Sequence, residues 1–141
     1  TKINSPLFHI FVKNIIMKRV IHSDKAPKAV GPYSQAIEKE NTLYISGQIP
    51  VDASTGQIVE GGIKEQTRQV LENMGYILRE AGYDYHNVVK CTCLLDNMEN
   101  FAAMNEVYAE FFTENPPARA AFGVVKLPLG VMVEIECIAG K

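Results

Sequence analysis

The strongest constraint on this chain is a helical period. Between residues 63 and 81 the apolar side chains Ile63, Val70, Leu71, Met74, Ile77, Leu78 and Ala81 recur three and four positions apart, and Gly82 follows. That spacing lines one face of an α-helix, and a glycine just past the stripe supplies the stop after the last turn. The chain therefore predicts a helix over about 63–80 with one face that must be buried. A second period, Phe101, Met104, Tyr108, Phe111 and Phe112, predicts a helix over about 98–113, capped by Asp96 or Asn97 and ended by Pro116-Pro117. Its aromatic stripe reads as core packing rather than a cofactor box.

Short segments of β composition surround these helices. They are 19–22, then 35–38 and 42–47 joined by the polar turn Glu40-Asn41, then 88–95, and finally 118–125 and 131–139 joined through Pro128. Residues 26–33, punctuated by Pro27, Gly31 and Pro32, read as a loop, and 50–57 as a surface turn. The order predicts an α+β domain with two helices on one face of a mixed or antiparallel sheet. A chain of 141 residues has nothing left to cover the other face, so self-association is the natural remedy.

Composition narrows the function. With 47% hydrophobic and 21% charged residues the chain suits one globular domain, and a net charge of −2 provides no basic field to draw nucleic acid. Cys91, Cys93 and Cys137 match neither a C-x-x-C motif nor an even disulfide framework, which points to a reducing, cytoplasmic setting. Cys91 and Cys93 would stand roughly 6 to 7 Å apart on one strand face, strained for a disulfide, and all three read as small buried hydrophobes. His9, His22 and His86 are scattered, so no metal is signalled. Residues 1–16 read as an extension, poorly ordered or lying on a single domain that spans 17–141. The apolar run in it is too short for a membrane span and has no small-residue cleavage site, and its lack of arginine weakens a mitochondrial reading while leaving it open.

The residue that stands out chemically is Arg119, in Asn115-Pro116-Pro117-Ala118-Arg119-Ala120-Ala121-Phe122, with Glu134 in the last apolar run. A guanidinium at the start of an apolar strand calls for a carboxylate to share its donors. Taken blind, the two are most simply a structural ion pair. A regular hairpin centred near Pro128 would put them on opposite faces, so an irregularity in that hairpin is expected. Glu136 shares Glu134's face, and periodicity alone does not separate the two carboxylates.

Gly31-Pro32-Tyr33-Ser34-Gln35-Ala36, Ile45-Ser46-Gly47-Gln48-Ile49-Pro50, Pro117-Ala118-Arg119 and Val133-Glu134-Ile135-Glu136, in that order, closely resemble the Rid (reactive intermediate deaminase) family, also called YjgF or endoribonuclease L-PSP-like. Asn105-Glu106-Val107-Tyr108 with Phe111-Phe112 resembles its second helix. The resemblance spans Met17 to Gly140. It implies a chorismate-mutase-like fold assembled as a homotrimer with sites between subunits. The activity implied is hydrolysis of 2-imino acids such as 2-iminobutanoate and 2-iminopropanoate to 2-oxo acids and ammonia, with no metal or organic cofactor. It further implies that Arg119 holds the substrate carboxylate, Glu134 positions or activates water, and Tyr33, Ser46, Gly47 and Asn105 line the cleft. Many family members carry a cysteine where this chain has Ala121, so only a backbone role survives there. Two other readings stay open, RNA cleavage and a non-catalytic trimer that binds small carboxylates or acts as a chaperone.

Overall fold

The computed structural model describes residues 5–141. Helix α1 (Pro6–Ile16) lies within the amino-terminal extension and leads to strand β1 (Arg19–Ile21). Strands β2 (Ala36–Lys39) and β3 (Thr42–Gln48) form the expected hairpin, with Glu40 and Asn41 at φ 49° and 62°. Two left-handed residues in succession match the twist of the flanking strands, so the tight turn fits this polar pair. The 50–57 turn carries a small ribbon of its own, β4 (Val51–Asp52) and β5 (Gln57–Ile58). Helix α2 (Ile63–Glu80) and strand β6 (Val88–Leu95) follow their sequence periods closely. Helix α3 (Phe101–Phe111) begins later than its stripe suggests, because Asn97 accepts from Glu99 N and caps a 3₁₀ turn, Met98–Asn100, instead. Strands β7 (Ala118–Gly123) and β8 (Val133–Gly140) close the chain.

The main sheet has the order β1-β2-β3-β8-β6-β7. This corrects the expected terminal hairpin: β7 and β8 do not pair, because β6 lies between them. Strand β6 pairs in parallel with β7 and antiparallel with β8. The physical reason is the connection. Helix α3 carries the chain from β6 to a parallel neighbour, as parallel pairs require, while β8 takes the slot between β3 and β6 and satisfies both of its edges. Ala-rich β7 is left on the edge.

Both α2 and α3 cover one face. Leu43 and Ile45 of β3, Cys91, Cys93 and Leu95 of β6, and Val133 and Ile135 of β8 are buried there with Leu71, Met74, Leu78 and Met104. The opposite face remains open. Val20, Ile37, Tyr44, Ile138 and Lys90 make one row across five strands of it, and Tyr44 is half exposed.

The loop before β2 is held by a buried glutamine. Gln35 Oε1 accepts from Ser23 N at 2.7 Å, and its Nε2 donates to Ser23 O at 3.1 Å and Pro27 O at 2.8 Å. Gln35→Leu leaves these backbone groups without a partner. The expected loss is about 2–4 kcal/mol, read as a lower urea midpoint with an unchanged slope at fixed protein concentration.

Candidate active site

Arg119 lies opposite Cys91 in the β6–β7 ladder, so its side chain leaves the sheet on the helix-covered side. There its Nη1 donates to Asn105 Oδ1 of α3 at 2.7 Å. The guanidinium carbon lies 4.8 Å from the ring centre of Tyr108 and 5.3 Å from that of Phe101. The Arg119–Glu134 ion pair is not formed. An amide oxygen occupies one N–H of the fork without neutralising it, which leaves a cation with donors to spare. Ala121, two residues along β7, shares this face and lies opposite Cys93.

Glu134 leaves the sheet on the other side. Its partner on β6 is Leu94, three residues from Cys91, and an odd offset along a strand reverses the face. The irregularity expected to bring Arg119 and Glu134 to one face is not found, since β7 and β8 do not pair and the two side chains stay on opposite faces. A separate register shift lies between β3 and β8: Ile45 pairs with Cys137 and Gln48 with Ile135, so β3 carries one extra residue around Ser46 and Gly47. A Cβ on Gly47 would collide with Glu134 Oε1. A side chain at this position would push the Glu134 carboxylate aside, so glycine lets backbone and carboxylate lie close together.

Ser46 also fixes the preceding loop, its Oγ donating to Ser34 O at 2.6 Å and its N to Gln35 O at 2.9 Å. Tyr33 is half exposed on that loop, at one wall of a groove of about 350 Å³ that also touches Gly47, Ile49 and Leu129. Leu129 is 72% exposed at φ 56°, a left-handed conformation unusual for leucine, and composition alone gave no sign of it.

The residues named from the sequence thus fall into two groups. Asn105, Arg119 and Ala121 gather at the β7 edge on the helix side. Ser46, Gly47 and Glu134 gather at the β3 bulge, with Tyr33 nearby. Phe101 and Tyr108, assigned to the core by their stripe, belong partly to the first group. Their spacing from Asn105, four and three residues, was the available signal, since it places all three on one helix face.

The electrostatics differ between the groups. Burial, then the neighbouring Glu136, pushes the Glu134 carboxyl above its ordinary range. Burial also raises the Cys91 thiol to about 11 and Cys93 to about 12, so both stay protonated and act as packing groups. Among the described residues, no cluster of His, Cys, Asp and Glu could hold a metal ion, and no helix is long and apolar enough to cross a membrane.

Comparison with known proteins sets this geometry in context. Residues 23–141 match the family model described as Endoribonuclease L-PSP. A RutC family protein of Pyrococcus horikoshii is 58% identical over 89% of this chain and 99% of its own length. A human protein named 2-iminobutanoate/2-iminopropanoate deaminase is 52% identical over 88% of this chain and 90% of its own. Among solved structures, a Yersinia pestis protein of the conserved Rid protein family superposes with a TM-score of 0.85 at 46% identity, covering 89% of this chain and all of that one.

The raised Glu134 pKa has a signed consequence. The folded state bears a cost for the Glu134 charge that is full above the raised pKa and gone below the ordinary carboxylate value, about 4.3. Glu134→Gln is therefore expected to unfold later than wild type at pH 8, with the two converging below pH about 4 in paired denaturation curves. A variant less stable at pH 8 would show that the charge is compensated.

Proposed function

The chain belongs to the endoribonuclease L-PSP family, the Rid family, and from that premise we propose that it hydrolyses reactive 2-imino acids to 2-oxo acids and ammonia in sites completed between subunits. The observation that carries this reading is the separation of the two groups onto opposite faces. One chain offers a carboxylate anchor at the β7 edge and a proton carrier at the β3 bulge, turned away from each other. A homotrimer in the chorismate-mutase-like arrangement brings Arg119, Asn105 and Ala121 of one subunit to Tyr33, Ser46, Gly47 and Glu134 of the next. The open apolar row through Val20 and Tyr44 supports such an assembly, since association would bury it. Residues 17–141 act as the domain in this reading, with α1 outside it, in a reducing, cytoplasmic setting.

The chemistry follows from the residues. The imine carbon is already electrophilic, so catalysis asks for a fixed substrate, an oriented water and a proton carrier, and for no metal or organic cofactor. Arg119 takes the substrate carboxylate through the N–H groups that Asn105 leaves open. Water adds to C2 of the protonated imine as Glu134 accepts one of its protons, giving a neutral carbinolamine. Glu134 then returns that proton to nitrogen, the C–N bond breaks with departure of ammonia, and the hydroxyl gives its own proton back to Glu134 as it becomes the 2-oxo group, ready to pass to solvent. A carboxyl pKa raised by burial favours proton exchange over permanent ionisation. The family description names RNA cleavage, but phosphate binding calls for several cations, and on this sheet face Lys90 stands among the carboxylates Glu134 and Glu136.

For 2-iminobutanoate generated by an amino acid oxidase and followed against a trapping agent, Arg119→Ala is expected to lower kcat/KM at least about 100-fold. Undiminished hydrolysis removes Arg119 from the mechanism, and carboxylate binding without turnover favours a non-catalytic trimer. Mixing supplies a sharper test of the shared site. When equal amounts of Arg119→Ala and Glu134→Gln subunits are refolded together, about a quarter of the sites in a cyclic trimer draw both intact residues from different chains, so activity returns to about that level. A mixture as inactive as its parents would place both residues in one chain's site.

A further inference from the structure

Phe101, Asn105 and Tyr108 project from one face of α3 onto the same guanidinium, yet the hydrolysis just described uses only the fork itself. We propose that Phe101 and Tyr108 are positioning residues that hold Arg119 in its carboxylate-binding orientation through their ring faces. The inference rests on the carboxylate-anchor reading of Arg119.

An arginine on an exposed edge strand samples many rotamers, and that freedom would have to be lost each time an anion bound. A carboxylate neighbour would fix the side chain but neutralise it and occupy the donors the substrate needs. Aromatic rings attract the cation through their faces and take no N–H. Asn105 uses one N–H, at 2.7 Å, and sets the rotation of the fork. Rings and amide together define a direction while leaving the outer donors open.

Tyr108 is suited to this role because it is itself fixed. It is buried, and its ring lies 4.7 Å from that of Phe112. Its buried hydroxyl lies against the Cys91 thiol, and its contact with Arg119 is made by the ring. Phe101 is half-buried and closes the second side at 5.3 Å. Its partial exposure makes it the better position to test, because a leucine there keeps apolar volume and removes the π face.

The experiment compares wild type, Phe101→Leu and Phe101→Tyr, each also in an Arg119→Ala background. Calorimetry measures binding of 2-oxobutanoate, and NMR relaxation reports the motion of the Arg119 Nε–Hε bond without ligand. Phe101→Leu is expected to weaken binding about 3- to 10-fold, raise KM more than it lowers kcat, and increase Nε–Hε motion. Phe101→Tyr recovers most of each loss, and in the Arg119→Ala background Phe101→Leu has no further effect on binding. Unchanged Nε–Hε motion in Phe101→Leu overturns the proposal whatever the binding result, as does an equal loss of binding in the Arg119→Ala background. Arg119→Ala binding 2-oxobutanoate as wild type does would instead overturn the anchor reading, and the Nε–Hε result would still decide the role of the rings.

Discussion

Burial of two helical stripes against one face of the sheet is the constraint on which the rest of this structure depends. Leu71, Met74, Leu78 and Met104 are fully enclosed against β3, β6 and β8, and each such side chain is worth about 1.5–3 kcal/mol relative to exposure. That face sets strand register, since a slip by one residue would turn the buried set of every strand to solvent. On the opposite face Val20 and Tyr44 remain exposed. The same asymmetry separates Arg119 from Glu134.

Strand order then decides what each chemical group meets. Because α3 joins β6 to a parallel β7, Arg119 comes out at the sheet edge beneath α3 and finds Asn105 and two aromatic rings. Because β8 is inserted between β3 and β6, Glu134 comes out beside the β3 bulge and finds a glycine backbone. A cation with a neutral hydrogen-bond partner keeps its capacity for an anion. A carboxyl under partial burial keeps its proton to higher pH than an exposed one.

Much of this was legible along the chain. The 63–81 period specified α2 almost to the residue, the Glu40-Asn41 turn was correctly placed, and the three cysteines are the buried hydrophobes their spacing suggested. The late start of α3 was hidden because Asn97 caps a short turn ahead of the helix, and local composition does not distinguish the two. The terminal hairpin failed for a different reason. Two β-rich segments joined by a short linker satisfy every local criterion for pairing, and only competition for the β6 and β3 edges shows that β8 has better partners.

Sequence by itself determined α2 and α3, most strands, the sidedness of the sheet and the small set of residues with chemistry to offer, because these depend on periods and on residue types within a few positions of each other, whereas α1 was read only as an extension. Tertiary structure alone decided that Arg119 pairs with Asn105 rather than Glu134, that a bulge presses Gly47 against that glutamate, and that Phe101 and Tyr108 face a cation instead of lying wholly in the core. Those outcomes depend on which strands sit side by side. Hydrogen-bond satisfaction across the whole sheet settles that, and no local stretch of sequence records it.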